Sequence, residues 1–379
     1  MRVLLAPDKF RGTFTAAEVC EHLARGLSDS CPGVQVDAAP MADGGEGTLD
    51  AIMGAAGGTR IPVDATGPDG APIVAEYGVT QEGLAVIESA RFCGLELVAP
   101  SRRDPSRASS YGLGQALAVA LDAGARRFVI GLGGTATVDA GAGMARALGY
   151  RFEDQRGVWN GQSVLDLGDD LRIDDTLIHE GLRTARFSAL CDVDNPLLGP
   201  RGAARVFAPQ KGATGSQVAQ LEEALCRLST AMAKLRAPAG GNAGDLASGG
   251  AGGGLGLGCF VFLGASLLSG AIYLMKTLML DDRIAEADLV VTGEGSFDGQ
   301  TSSGKVVAAV LEAAAGAGRP ALVVAGRWDG TMPARHPGPL AVFTSRDTAG
   351  PGTLTVEGLV ELGRRIGSDL GRLAKGQFE

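Results

Sequence analysis

Apolar residues along this chain fall into short blocks separated by polar, glycine-rich loops. Arg2 to Ala6 is a compact apolar run ending at Pro7-Asp8, the pattern of a buried strand that stops at a loop. Thr15-Ala-Ala-Glu18 has the form of a capping box, and Ala16, Val19, Cys20, Leu23 and Leu27 give the helix behind it one apolar stripe. Pro32-Gly33 closes that helix, Val34 to Ala38 predicts a second strand, and the loop Pro40 to Gly47 leads into a short helix from Thr48. The C-terminal third keeps the same rhythm. It predicts a strand over Asp288–Thr292, a glycine loop, a helix from Gly304, strands over Ala321–Ala325 and Leu340–Thr344, and a last helix from Val356. Such alternation implies a parallel sheet with crossover helices.

Between these ends the texture changes. Thr66-Gly-Pro-Asp-Gly70, then Ile73–Val79 and Leu84–Glu88, reads as a hairpin, and several helices follow. At 379 residues the chain is long enough for two domains. The expected fold is α/β, with one domain over 1–65 and 286–379 and a second α/β domain, 66–285, inserted into it. Gly258 to Met275 carries no charge for eighteen residues, a length that raises the question of a membrane span. Gly264, Ser266, Ser269 and Gly270 interrupt it and Lys276 closes it, so a buried helix pair is expected instead and no membrane partner.

Composition narrows the function. The 59 glycines cluster in runs, which implies many turns or loops that approach a ligand. A net charge of −9 without a basic stripe argues against nucleic acid, and an anionic substrate would need a local positive site. The six cysteines form no C-x-x-C pair and there are only three histidines, so neither disulfides nor a zinc site is expected. The apolar run after Met1-Arg2 is too short for a secretory signal; a cytoplasmic setting is the expectation.

Four glycine-and-carboxylate loops follow or flank predicted strands: Ala42-Asp43-Gly44-Gly45-Glu46-Gly47-Thr48, Gly131-Leu-Gly133-Gly134-Thr135-Ala-Thr137-Val-Asp139, Cys191-Asp192-Val-Asp194-Asn195-Pro196, and Thr292-Gly293-Glu294-Gly295-Ser296-Phe-Asp298-Gly-Gln300. Loops at the carboxyl ends of parallel strands are where α/β sheets place ligands. Their amides can wrap phosphate oxygens, and their carboxylates can hold Mg²⁺ or take a proton from a hydroxyl. Cations lie in loops as well: Lys9 and Arg11, Lys211 in Pro209-Gln-Lys-Gly212, and Lys305 at the start of a predicted helix. Phosphoryl transfer needs mainly positioning and charge neutralisation. No Walker pattern is present, because Gly304-Lys305 is followed by Val306, and the protein-kinase signature set is missing too. A nicotinamide-dependent dehydrogenase stays open beside the kinase, since Gly131-Leu-Gly133-Gly-Thr-Ala136 follows a predicted strand and matches a dinucleotide fingerprint, with Glu153 and Asp154 about 20 residues on. A non-catalytic binding protein is the third reading.

Taken together these loops resemble those of the bacterial glycerate kinase family that lacks a P-loop. The markers, in order, are Ala6-Pro-Asp-Lys-Phe-Arg-Gly12, Pro40-Met-Ala-Asp-Gly-Gly-Glu-Gly-Thr48, Gly131-Leu-Gly-Gly-Thr-Ala136, Cys191-Asp-Val-Asp-Asn-Pro-Leu-Leu198, Phe207-Ala-Pro-Gln-Lys-Gly212, Ala287-Asp-Leu-Val-Val-Thr-Gly-Glu-Gly295, Asp298-Gly-Gln-Thr301 and Gly304-Lys305. The resemblance implies a discontinuous Rossmann-like sheet domain with an inserted domain, and an active site in the cleft between them. It implies ATP with Mg²⁺, D-glycerate as acceptor, 2-phosphoglycerate as product with 3-phosphoglycerate as the other regiochemistry, and leaves room for a homodimer. Arg11 stands where the family has Lys, Val138-Asp139-Ala140 replaces Asn-Asp-Gly, and Val307 replaces Pro.

On that basis Asp192 is the expected base or hydroxyl-orienting group, with Lys305 and Arg11 as the other catalytic residues. Lys9, Asp43, Gly44, Gly45, Glu46, Ser109, Ser110, Asp139 and Gln300 are expected at the substrate. Gly133, Gly134, Thr135, Lys211, Glu294, Gly295 and Asp298 are expected at nucleotide phosphates, and Asp192 with Asp194 at the metal. Ser110 would donate to substrate or cap the helix behind it, and Cys191 is expected to be packing.

Overall fold

The structure, a computed structural model, describes residues 1–238, 241–297, 305–331, 338–344 and 354–377. The chain divides into two compact units, one made of 1–43, 50–55 and 271–379 and the other of 44–49 and 56–270.

Five parallel strands form the sheet of the first unit. In spatial order they are Ala341–Thr344, Ala321–Trp328, Leu289–Phe297, Arg2–Leu5 and Gln35–Ala38. Counted along the chain, this is the 2-1-3-4-5 order of a doubly wound sheet, and it reverses between Arg2–Leu5 and Leu289–Phe297. Val3, Leu4 and Leu5 are fully buried, as are Leu289, Val290 and Val291, because helices cover both faces. On one face Ala16–Ser30 and Val356–Ser368 pack Leu23, Leu27, Leu359 and Ile366 onto Val3, Leu5, Val291 and Val324. These two helices meet closely at Gly26, where a Cβ would fall 1.9 Å from Val360 O. The capping box forms as its sequence predicts: the Thr15 hydroxyl accepts the Glu18 N–H, and the Glu18 carboxylate accepts the Thr15 N–H at 2.8 Å. On the other face lie Leu280–Glu286 and Lys305–Gly316.

Six strands make the main sheet of the second unit. Ser266–Leu268, Arg186–Leu190, Arg127–Gly131 and Leu84–Glu88 run parallel, and Pro72–Thr80 and Gly58–Thr66 continue the sheet antiparallel. A small antiparallel sheet of Gly157–Val158, Arg151–Asp154 and Arg172–Asp174 is separate from it.

Two expectations need correction. A boundary at 65/66 would cut Gly58–Thr66, which pairs along its whole length with Pro72–Thr80, so the hairpin belongs to the second unit from residue 56. Residues 271–285 belong to the first unit, where Leu280–Glu286 packs on Arg2–Leu5. The uncharged run 258–275 is not a buried helix pair. It is divided among the end of the helix Ala251–Gly258, a π-helical turn Cys259–Leu263, the edge strand Ser266–Leu268 and the start of the helix Gly270–Thr277. Among the described residues, no helix is long and apolar enough to cross a membrane.

Candidate active site

Each unit gathers expected site residues at the carboxyl ends of its parallel strands. In the first unit, Arg2–Leu5 runs into Ala6-Pro7-Asp8-Lys9. The Ala6 N–H donates to Val291 O and the Asp8 N–H to Gly293 O, both at 2.8 Å, and the Thr292 hydroxyl donates to Ala6 O at 2.8 Å. These bonds tie the turn to Leu289–Phe297 on both sides of Pro7, which has no N–H of its own. On the opposite flank the Met41 N–H donates to Pro7 O at 2.9 Å and draws in the loop that carries Asp43. Lys9 Nζ then stands 3.3 Å from Asp43 Oδ1, while Asp8 Oδ1 accepts the Lys9 N–H at 2.7 Å. Burial, followed by the negative charge of Asp43, pushes the Asp8 carboxyl up to about 7 against the opposing pull of Lys9 and Arg11. The Arg11 side chain is exposed.

Glu294 and Gly295 do not form the expected turn. Their strand continues to Phe297 because Ala321–Trp328 extends beside it and pairs Glu294 with Ala325 and Ser296 with Arg327. Asp298, Gln300 and Gly304 lie outside the described residues. Of Lys305, only its backbone at the start of Lys305–Gly316 is described.

In the second unit, the glycine loops hold each other. A Cβ on Gly133 would fall 2.5 Å from Gly45 Cα, and Gly44, at φ +90°, accepts the Gly133 N–H at 3.0 Å. Glu88, 3% exposed, accepts the N–H groups of Gly47 and Leu49 at 3.1 and 3.2 Å. Leu95 N–H donates to Gly134 O and Ala136 N–H to Cys93 O, each at 2.8 Å. The amides of Gly133 and Ala136, which a phosphate cradle would use, are therefore taken up internally. The next helix, Ala142–Ala147, begins well beyond the loop and has six residues. A dinucleotide fingerprint needs a helix N-terminus directly after its glycines, so the match at Gly131–Ala136 is one of letters without the geometry.

Lys211 and Asp139 are likewise held inside. Lys211 Nζ donates to Thr135 Oγ1 at 3.1 Å and Thr137 O at 2.8 Å, and burial pushes its ammonium down to about 8. Asp139, 2% exposed, accepts from Ser110 N and Oγ, Gly141 N and Gly143 N at 2.7–3.2 Å. The Ser110 hydroxyl also accepts the Met144 N–H at 2.9 Å, so it bridges to Asp139 and the helix Ala142–Ala147 rather than capping Tyr111–Asp122. Ser109 Oγ accepts the Tyr111 N–H at 3.2 Å. In this arrangement these groups meet polar demands of the loops themselves, Asp139 and Ser109 by accepting backbone amides and Lys211 by donating to Thr135 and Thr137.

Asp192 differs. It lies two residues beyond Arg186–Leu190 and is buried at 8% exposure, but these two donors meet one oxygen: Oδ1 accepts the Ser269 hydroxyl at 2.7 Å and the Gly270 N–H at 3.1 Å. Asp194 is turned outward, its carboxylate 73% exposed and ion-paired with Arg201 at 2.7 Å. Among the described residues no group of three or more His, Cys, Asp or Glu side chains is placed to hold a metal ion. Cys191 is buried. Sequence reasoning missed Asp8, Glu88 and Ser269. Asp8 stood at a strand end beside Lys9, and Glu88 closed an apolar strand; Ser269 had no signal beyond interrupting an uncharged run.

A family model described as the glycerate kinase family matches residues 3–356. Over 325 residues the chain is 38% identical to a glycerate kinase of Halalkalibacterium halodurans, covering 86% of this chain and 85% of that one. Over 330 residues it is 37% identical to a glycerate 2-kinase of Escherichia coli, covering 86% and 85%. A crystal structure assigned as glycerate kinase 2 from Salmonella typhimurium LT2 is similar at a TM-score of 0.80 and 36% identity, covering 98% of each chain.

Proposed function

The chain belongs to the glycerate kinase family, and from that premise we propose that it transfers the γ-phosphoryl group of ATP to a hydroxyl of D-glycerate, giving 2-phosphoglycerate. Membership makes it a kinase, a phosphotransferase with an alcohol acceptor. The observation that carries the substrate is identity of 37–38% over 86% of the chain with relatives named for glycerate. The regiochemistry follows the Escherichia coli relative, named a 2-kinase.

Transfer of a phosphoryl group is catalysed mainly by positioning and by neutralising charge. Lys9 and Arg11 supply positive charge to an anionic substrate at the sheet reversal, with Asp43 fixing Lys9. Lys305 is assigned to the nucleotide phosphates from the family motif alone. Asp192 is assigned to orient the acceptor hydroxyl. A nucleotide brings Mg²⁺ on its own phosphates and needs only one or two carboxylates from the protein. Asp192, with the Ser269 hydroxyl beside it, offers the hard oxygen donors that suit this ion, which when bound neutralises phosphate charge.

The test incubates the protein with ATP, Mg²⁺ and D-glycerate and follows the product by phosphorus NMR. A 2-phosphoglycerate resonance and stoichiometric ADP are expected. No ADP at millimolar glycerate rejects the substrate, and a 3-phosphoglycerate resonance rejects the regiochemistry.

A further inference from the structure

The geometry points to Asp8 as a further catalytic residue: the general base that takes the proton of the acceptor hydroxyl as it attacks the phosphorus. This rests on the kinase reading above. Three observations place it there. Asp8 follows the carboxyl end of Arg2–Leu5 where the doubly wound sheet reverses, bonded to Gly293 within the adjacent strand Leu289–Phe297, and such a reversal is the position at which these sheets bind ligands. Its backbone is fixed from that neighbouring strand through Gly293 O and its carboxyl by the Lys9 N–H, so the group is pre-oriented. The residue is half-buried, dry enough to value a proton and open enough to meet a substrate.

The surrounding charges suit the task. Asp43, on the loop after Gln35–Ala38, faces the Asp8 carboxyl with a like charge, and Lys9 and Arg11, on its own loop, oppose it. Glu294 lies one residue beyond the carbonyl that holds the Asp8 N–H. The carboxyl therefore exchanges its proton near neutral pH, where a general base is most effective. In the step, the acceptor oxygen forms its bond to the γ-phosphorus, the bond from that phosphorus to the β,γ-bridging oxygen breaks, and ADP leaves with that electron pair. The hydroxyl proton passes to Asp8 and then to solvent. Lys9, held between its own loop and Asp43, keeps the substrate's negative charge from repelling the base.

The experiment compares the wild-type protein with Asp8→Asn and Asp43→Asn, using ATP, Mg²⁺ and D-glycerate across pH. The wild-type kcat should fall below about pH 7. Asp8→Asn should lower kcat at least about a hundredfold, within the range for loss of a general base, with KM changed less than about threefold and the acidic limb gone. Asp43→Asn removes the like charge and should move that limb to lower pH. Carboxyl carbon-13 NMR on the wild-type protein, with Asp8 identified by the variants, should find its midpoint near the limb without any turnover. An Asp8 midpoint below about 5, or Asp8→Asn turning over glycerate at close to the wild-type rate, overturns the base assignment alone. A wild-type protein that forms no phosphoglycerate overturns the substrate reading and the assignment together.

Discussion

The two units place the same kinds of residue at the same topological position and use them differently. In the first, the groups beyond the strand ends are few and poised: Asp8 and Lys9 on one loop, Asp43 on the next, with backbone bonds fixing the loops. In the second, the loops consume their own polar groups. Asp139 answers four donors, Glu88 two amides, Lys211 two oxygens, and Gly133 lies against Gly45. The contrast teaches that a carboxylate in a glycine loop at a strand end is not by that fact a ligand group. Loops of similar length can pair their amides with carbonyls of a neighbouring strand, as Ala6 and Asp8 do, or with side-chain carboxylates, as Gly141 and Gly143 do. One or the other is required because an unpaired buried amide costs as much as a lost hydrogen bond.

The largest expected effect tests the structural half of that contrast. Asp139→Ala strands several buried donors at once and should lower unfolding free energy by about 4 kcal/mol, read by urea titration. A stable Asp139→Ala protein that has lost only turnover would break the contrast by making Asp139 a working group.

Next comes Lys211. The folded chain releases its proton near 8 and the unfolded chain near 10.5, so between those values the unfolded state binds more protons and stability rises with pH. The gain reaches up to about 3 kcal/mol. Lys211→Met should lose this rise, and urea midpoints of both proteins at about pH 7.5 and about pH 10 would show it. Parallel curves for the two would mean the ammonium is solvated and available to phosphate.

Asp192→Asn addresses the second unit's one carboxylate assigned to chemistry. Asparagine keeps an acceptor for Ser269 Oγ and Gly270 N–H, so stability should change by less than about 1 kcal/mol. Turnover should drop at least about a hundredfold, about 2.7 kcal/mol in the barrier. Unchanged turnover would put Asp192 with Asp139 on the structural side. The smallest effect is a local reference: Thr15→Ala opens the capping box and should cost about 1 kcal/mol without altering kcat.

Elements whose cause is local were legible in the chain. The strand at Arg2–Leu5, the capped helix from Ala16 and the hairpin of Pro72–Thr80 with Leu84–Glu88 follow from apolar runs, a capping box and turn residues. Where an outcome depended on a distant partner, reading along the chain failed. Glu294-Gly295 looked like a turn until Ala321–Trp328 supplied a neighbour to pair with. The interruptions in the uncharged run at 258–275 read as the break in a helix pair, yet Gly264 at φ +66° and pairing of Ser266–Leu268 with Arg186–Leu190 put an edge strand there.

The same division holds for the site. Sequence by itself determined which loops carry carboxylates, glycines and cations, and their ordered motifs carried the family, because those are properties of residue type and spacing. Only the tertiary structure separated poised groups from satisfied ones. Whether a carboxylate meets four amides, as Asp139 does, or a like charge and a half-open edge, as Asp8 does, depends on which strands and loops the fold brings beside it. Hydrogen bonding and desolvation act through space, and no pattern along the chain contains them.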